Sequence, residues 1–212
     1  MMPVKSILLS TAYFAPIQYY SEFLKAKKVY IEQYENFIKQ TYRNRCLVLG
    51  GNGPIQLIVP VVKGRGPKIL IKDLKISYDT EWQRNHWRTL LSAYSSSPFF
   101  EYYKDDIHPF FETKHMFLLD FNLKIHETVC ELLEIENNAV LTQDFEKVPV
   151  GTFNLRESIS PKIKMQSDIH FQPIEYTQVF SDKLGFLPNL SILDLLFNEG
   201  PNGYSILEES IV

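Results

Sequence analysis

Residues 4–31 read VKSILLSTAYFAPIQYYSEFLKAKKVYI, and the order of patterns along this stretch decides the fold class. Residues 4–10 are a short apolar run of strand length, residues 17–26 open behind Pro16 with helical spacing, and residues 28–31 supply a second strand. Strand, helix, strand in that order is a βαβ unit and favours a parallel pair. Further on, residues 46–49 and 55–62 flank Gly50-Gly51-Asn52-Gly53-Pro54 as the arms of a hairpin do. The fold class is therefore α/β with a mixed sheet, and α+β is the runner-up. Residues 1–78 are expected to build most of one sheet, with residues 69–76 as a further strand after a basic loop at 63–68.

At Thr80 the pattern changes to helical. Thr80-Glu81-Trp82-Gln83 fits a capping box, which predicts a helix over 81–94 that Ser95-Ser96-Ser97-Pro98 breaks. An aromatic helical stretch starts at Pro98 and is divided by Pro109. The longest helix is predicted over 115–134, from Phe117, Leu118, Phe121, Ile125, Val129, Leu132 and Leu133. Residues 137–172 have no clear period. An apolar helix is predicted over 188–199, ended by Gly200-Pro201. The helices of the later part form a layer over the sheet, and the 212 residues are read as one domain.

Composition narrows the function classes. Cys46 and Cys130 each stand alone, which argues against a disulfide framework and a structural zinc; neither a metal nor a cofactor is expected. No segment has the length of a membrane span, and the apolar start reads as a buried strand better than as a secretory leader, so a cytoplasmic location is expected. The net charge of −3 argues against nucleic acid as a partner. Residues 1–90 carry 14 Lys and Arg against 6 Asp and Glu, while residues 91–212 carry 8 against 19. Either the first part binds an anion or the two parts neutralise each other.

Familiar catalytic loops are missing, so candidate residues come from local patterns. Arg43 and Arg45 share a face if their segment is extended, and two guanidinium forks suit a diphosphate. Arg84 and Arg88 stand one helical turn apart, continued by Ser92 and Ser95. Asn44 and Asn198 are further candidates for binding phosphate or substrate. The glycine-rich loop at 50–53 reads as a hairpin turn rather than a phosphate cradle. Tyr13, Phe14 and Tyr19 are candidates for an aromatic-lined cleft. His86, between Trp82 and Leu90 at helical spacing, is either a satisfied core or boundary residue or a base. Asp194 stands among Leu190, Ile192, Leu193, Leu195, Leu196 and Phe197, with Ser191 and Asn198 on its stripe. Such a carboxyl group is expected to be buried and either paired, by an arginine or a tyrosine hydroxyl, or protonated, and to lie near the mouth of the main cleft.

Four segments taken together resemble the WbqC-like protein family: residues 12–20 (AYFAPIQYY), 42–45 (YRNR), 82–87 (WQRNHW) and 190–201 (LSILDLLFNEGP). The resemblance implies a bacterial protein of surface-polysaccharide assembly of the O-antigen type. It suggests an acyl or aminoacyl transferase whose small-molecule substrate is a nucleotide-linked amino sugar. In that reading Arg43, Arg45, Arg84 and Arg88 hold the diphosphate, and His86 or Asp194 takes the proton of the attacking amine. A non-catalytic assembly partner of glycan enzymes and a divergent nucleotidylyltransferase are the alternatives, and a homo-oligomer is left open. This chain departs from a common family pattern, an acidic pair after the second strand: Glu32, Gln33, Tyr34 and Glu35 occupy that neighbourhood here.

Overall fold

The computed structural model describes residues 6–62, 68–147, 150–162 and 171–211. The opening βαβ unit forms as its pattern predicts: β1 (Ile7–Ser10), α1 (Ile17–Lys25) and β2 (Val29–Glu32), with β1 and β2 parallel and Ile7 opposite Val29. Two short strands from the periodless region complete this sheet, β5 (Ala139–Leu141) beside β2 and β6 (Phe153–Asn154) beside β1. The order is β5-β2-β1-β6 and every pairing is parallel, so all four carboxyl ends lie along one edge.

The hairpin also forms, as β3 (Arg45–Gly50) and β4 (Gly53–Ile58) joined through Gly51 and Asn52. Gly53 takes φ 121°, a backbone that only glycine adopts without strain. The mixed α/β class stands, but the hairpin is a two-stranded sheet of its own and does not join the parallel strands. Residues 69–76 are not a strand. Ile71 and Leu74, three apart, both turn inward, which suits the 3-10 turn at Ile71–Asp73 rather than an alternating strand. That turn is tied to the segment after β2 by Ile71 N–H to the Glu35 carbonyl at 2.9 Å and Lys72 N–H to Gln33 at 3.2 Å. The basic loop at 63–68 lies outside the described residues except for Lys68.

The helical layer comprises α2 (Trp82–Tyr94), α3 (Phe100–Ile107), α4 (Pro109–Glu112) and α5 (Leu118–Leu132). The capping box does not form. Glu81 is the N-cap of α2 without a side-chain bond, and Gln83 instead donates to the Phe110 and Thr113 carbonyls, fastening α2 to the end of α4. After α6 (Ser181–Leu184) the apolar helix α7 runs Ile192–Glu199, starting later than its pattern suggested because Ser191 caps it by accepting from Leu193 N–H. Gly200, at φ 54°, ends it, and α8 (Gly203–Glu209) follows.

Aromatic rings fill the space between the layers. Tyr13 meets Phe14 at 4.9 Å, Trp82 meets His86 at 5.1 Å, and Phe100 meets Phe197 at 5.0 Å between ring centres. Edge-on contacts of this kind add about 0.5–1.5 kcal/mol each beyond the area they bury.

Candidate functional site

The loop that leaves β1, residues 11–16, is where the four resemblance segments meet. Tyr13 N–H donates to the Tyr42 carbonyl at 2.9 Å, and the Tyr13 hydroxyl meets His86 Nδ1 at 3.0 Å. Ser191 Oγ donates to the Phe14 carbonyl at 2.8 Å, and Ile192 N–H to Ala15 at 2.9 Å. Phe14 itself stands at φ 37°, which a bulky residue adopts only when its surroundings enforce it. The chain is thus held in a strained turn at the carboxyl end of the strand that stands between β2 and β6.

Two buried ion pairs flank this turn. Arg43 grips Glu35 with both ends of its fork, Nε to Oε1 at 2.7 Å and Nη2 to Oε2 at 2.6 Å, and Nη2 also donates to Ser10 Oγ at 2.7 Å. Arg156 Nη1 donates to Glu32 Oε2 at 2.9 Å, while Glu32 Oε1 accepts from Tyr34 N–H and the Thr142 hydroxyl. Ser10 links the pairs: its hydroxyl lies 3.2 Å from both Glu35 Oε2 and the Arg156 carbonyl, and its one hydrogen can serve only one of them at a time. Glu32 is fully enclosed, so without Arg156 it would carry an uncompensated charge.

Beside Glu32 opens a crevice of about 310 Å³ walled by Leu8 and Tyr30 from the sheet and by Thr142, Asp144, Glu146 and Thr152 from the loops after β5 and before β6. Asp144 makes no hydrogen bond or ion pair among the described residues, so its carboxylate is available to a ligand. In parallel sheets ligands bind outside the carboxyl ends, where neighbouring strands lead the chain in opposite directions. At the carboxyl ends of β1 and β6, where β1 leads across to β2 and the chain leaves β6, stand Ser10 and Arg156.

The residues singled out from sequence do not share one cavity. Arg43 belongs to a 3-10 turn (Tyr42–Asn44), not an extended strand, and its guanidinium is committed to Glu35. Arg45 donates to Gln56 at 3.1 Å, and Arg84 pairs with Glu81 at 3.1 Å on the exposed face of α2. Arg88 lines a separate cleft of about 550 Å³ against the hairpin turn at 50–55. That turn lies five residues along β3 from Arg45, about 17 Å at strand rise. The four guanidiniums therefore do not form one clamp. Asn44 donates to the Val59 carbonyl, and Asn198 to the Asp194 carbonyl, both within the protein.

Tyr13 and Phe14 are core rings, not cleft walls, and Tyr19 is buried at the rim of a crevice near Ser10 and Arg43. His86 is 6% exposed, and burial pulls its pKa down to about 4, with the Ile58 backbone opposing. It is a neutral imidazole that holds the Tyr13 hydroxyl. Asp194 is fully enclosed and accepts from Tyr94 Oη at 2.8 Å, Tyr176 Oη at 2.6 Å and Gln178 Nε2 at 3.0 Å. Burial and a tyrosine partner were expected; a place at a cleft mouth was also expected, and Asp194 is not there. It joins α7 to α2 and to the segment before α6.

Sequence reasoning missed Glu32, Glu35 and Arg156 as a set. Glu32 and Glu35, three apart, depart from the family's acidic pair and drew no role, and Arg156 lies in the periodless region where nothing local marks it. Among the described residues, no three His, Cys, Asp or Glu side chains are placed to hold a metal ion, and no helix is long and apolar enough to cross a membrane.

A protein of Mycobacterium tuberculosis (strain ATCC 25618 / H37Rv), named only as the uncharacterized protein Rv1507c, is 28% identical over 211 residues, covering 89% of this chain and 88% of that one. No solved structure matches the chain. The family model described as the WbqC-like protein family matches residues 11–159, from the turn that leaves β1 to just past Arg156. That span takes in both ion pairs and is most of the chain, which therefore belongs to the WbqC-like protein family.

Proposed function

We propose that this protein is a group transferase of O-antigen-type surface-polysaccharide assembly, and that it passes an acyl or aminoacyl group to the amine of a nucleotide-linked amino sugar. The reaction is assigned to the carboxyl edge of the parallel sheet. The observation that carries this reading is the convergence of the family's segments on one strained turn, between two buried Arg–Glu pairs and beside a crevice with a free carboxylate. Family membership supports the glycan context.

In this scheme the amine nitrogen attacks the carbonyl carbon of an activated acyl donor. The new C–N bond forms as the bond to the donor's leaving group breaks, and the ammonium proton passes to Asp144. Glu32 and Arg156 are positioning residues that fix the crevice wall. Asp144 takes the role first given to His86 or Asp194, because those two are enclosed and Asp144 is open.

The test is a thermal-shift screen of nucleotide-linked amino sugars, followed by a transfer assay with activated acyl donors. A ligand at a hundred times its Kd adds about 2.7 kcal/mol, which for a chain of this size raises Tm by roughly 5–11 °C. Asp144→Asn is expected to keep the shift and to lower transfer by roughly 10²–10⁴-fold, as loss of a general base does. Transfer that is unaffected by Asp144→Asn, or no shift with any amino-sugar nucleotide, refutes the assignment.

A further inference from the structure

Away from the sheet edge, α3, the end of α5 and the start of α8 enclose a cavity of about 510 Å³, within the size range of small-ligand sites. Its walls include Tyr102, Tyr103, Glu131, Glu134, Tyr204 and Ser205. No lysine or arginine lines it. Tyr102 is 73% exposed, far more than a ring needs for packing, and Tyr204 is 37% exposed. Tyr103 is the opposite, at 3%.

Several buried phenols have their hydroxyls bonded within the protein, Tyr13 to His86 and Tyr94 and Tyr176 to Asp194, whereas those of Tyr19 and Tyr20, inside the core, are not bonded among the described residues. Tyr103 has no such partner among the described residues. The charges of Glu134 and Asp106 and the neighbouring Tyr102 phenol bear on its oxygen and, with burial first, raise its pKa. Tyr103 is itself part of the cavity wall, and its oxygen, which has no hydrogen-bond partner among the described residues, is not one of the fully enclosed polar atoms, so its remaining access opens there. Glu131 and Glu134 stand at the last turn of α5 and just beyond it. The negative end of a 15-residue helix adds to their field, and no basic residue in that turn offsets it.

Exposed tyrosine faces attract cations through their ring electrons, carboxylates pair with them, and a free phenol oxygen accepts a hydrogen bond. We infer that this cavity is a binding site for an organic ligand that presents an unacylated ammonium group, held by Glu134 and Glu131 against the Tyr102 and Tyr204 rings with Tyr103 Oη accepting one ammonium hydrogen. The site is separate from the carboxyl edge and does not depend on the transferase reading. The ammonium can come from an amino sugar or from a lysine side chain.

The whole chain, isotope-labelled, is titrated with D-glucosamine, with N-acetyl-D-glucosamine and with Nα-acetyl-lysine amide, following backbone amide shifts. Glucosamine is expected to move amides around residues 102–103, 131–134 and 204–205, and blocking its amine to weaken binding at least roughly tenfold. Tighter binding of glucosamine than of the lysine amide identifies a sugar source, and the reverse identifies a side-chain source; both support an ammonium site. Glu134→Gln, on an exposed side chain that leaves the fold intact, is expected to remove the shifts, and Tyr103→Phe to weaken them. Equal affinity for the acetylated and free sugar, or no shift with either amine, overturns the inference, as does binding that survives Glu134→Gln. Asp144→Asn should leave the titration unchanged. A loss there instead would move amine binding to the carboxyl-edge crevice and refute this site, whereas failure of the transfer assay alone would count only against the transferase reading.

Discussion

Replacing Asp194 by asparagine or by leucine separates the charge of this carboxylate from its hydrogen bonds. Asparagine keeps the shape, and its one oxygen still accepts from a tyrosine, but its amide now faces Gln178 Nε2, donor against donor, where the carboxylate accepted at 3.0 Å. One bond is lost and one contact turns unfavourable, a cost of about 1–3 kcal/mol. Leucine removes the acceptor altogether. The Tyr94 oxygen still accepts from Leu49 N–H at 3.1 Å, but the hydrogens of Tyr94 and Tyr176 are left without the oxygens they served at 2.8 and 2.6 Å. Breaking such a buried network costs about 3–5 kcal/mol. For a chain of this length each kcal/mol moves Tm by about 2–4 °C, so the leucine variant should melt roughly 6–20 °C below the parent. Urea unfolding followed by circular dichroism measures both. The pH dependence supplies a sign. Burial raises the Asp194 pKa above its ordinary 3.8, and the three donors oppose without winning. A carboxylate raised in the folded state contributes fully below its unfolded value and loses that contribution as pH rises through the folded one. The stability gap between the parent and Asp194→Asn should therefore narrow from acid towards neutral pH. A leucine variant as stable as the parent, or a gap that widens with pH, refutes the account of Asp194 as a desolvated structural hub.

Arg43→Met strands the Glu35 carboxylate and should cost about 3–5 kcal/mol, whereas Arg43→Met with Glu35→Leu should recover much of that loss. Strict additivity in this double-mutant cycle, read by urea midpoints, would mean that the pair is not a unit. Burial lowers both His86 and His126 from 6.5 to about 4, so each must stay neutral in the folded state. Stability should fall as pH drops from 6.5 towards 4, because the unfolded chain takes up the protons first, and His126→Gln should flatten this slope. An unchanged slope would show that His126 is not desolvated.

What could be read from sequence follows from how far each signal reaches along the chain. The βαβ unit and the hairpin rest on neighbours within thirty or so residues, and both were legible. Asp194 was legible because six apolar neighbours force burial whatever surrounds the helix. The strand expected at 69–76 failed because the residues that face inward, Ile71 and Leu74, are three apart, the spacing of a 3-10 turn and not of a strand. The arginine clamp failed for a related reason: face sharing was inferred from an extended backbone, and Arg43 sits in a 3-10 turn. Above all, the partner of Glu32 is an arginine 124 residues away, in a stretch without period, and no local pattern could have pointed to it.

That separation also sets an order of events during synthesis. Residues 6–32 leave the ribosome ahead of the helical layer, yet β1 gains β6 and β2 gains β5 only after that layer, α2 to α5, has been made. At about 5–20 residues per second, Glu32 waits roughly 6–25 s for Arg156. Until then the βαβ unit has two open edges, and of the partners that Glu32 holds in the finished fold only Tyr34 N–H has been made. Strands made before the helical layer are closed after it.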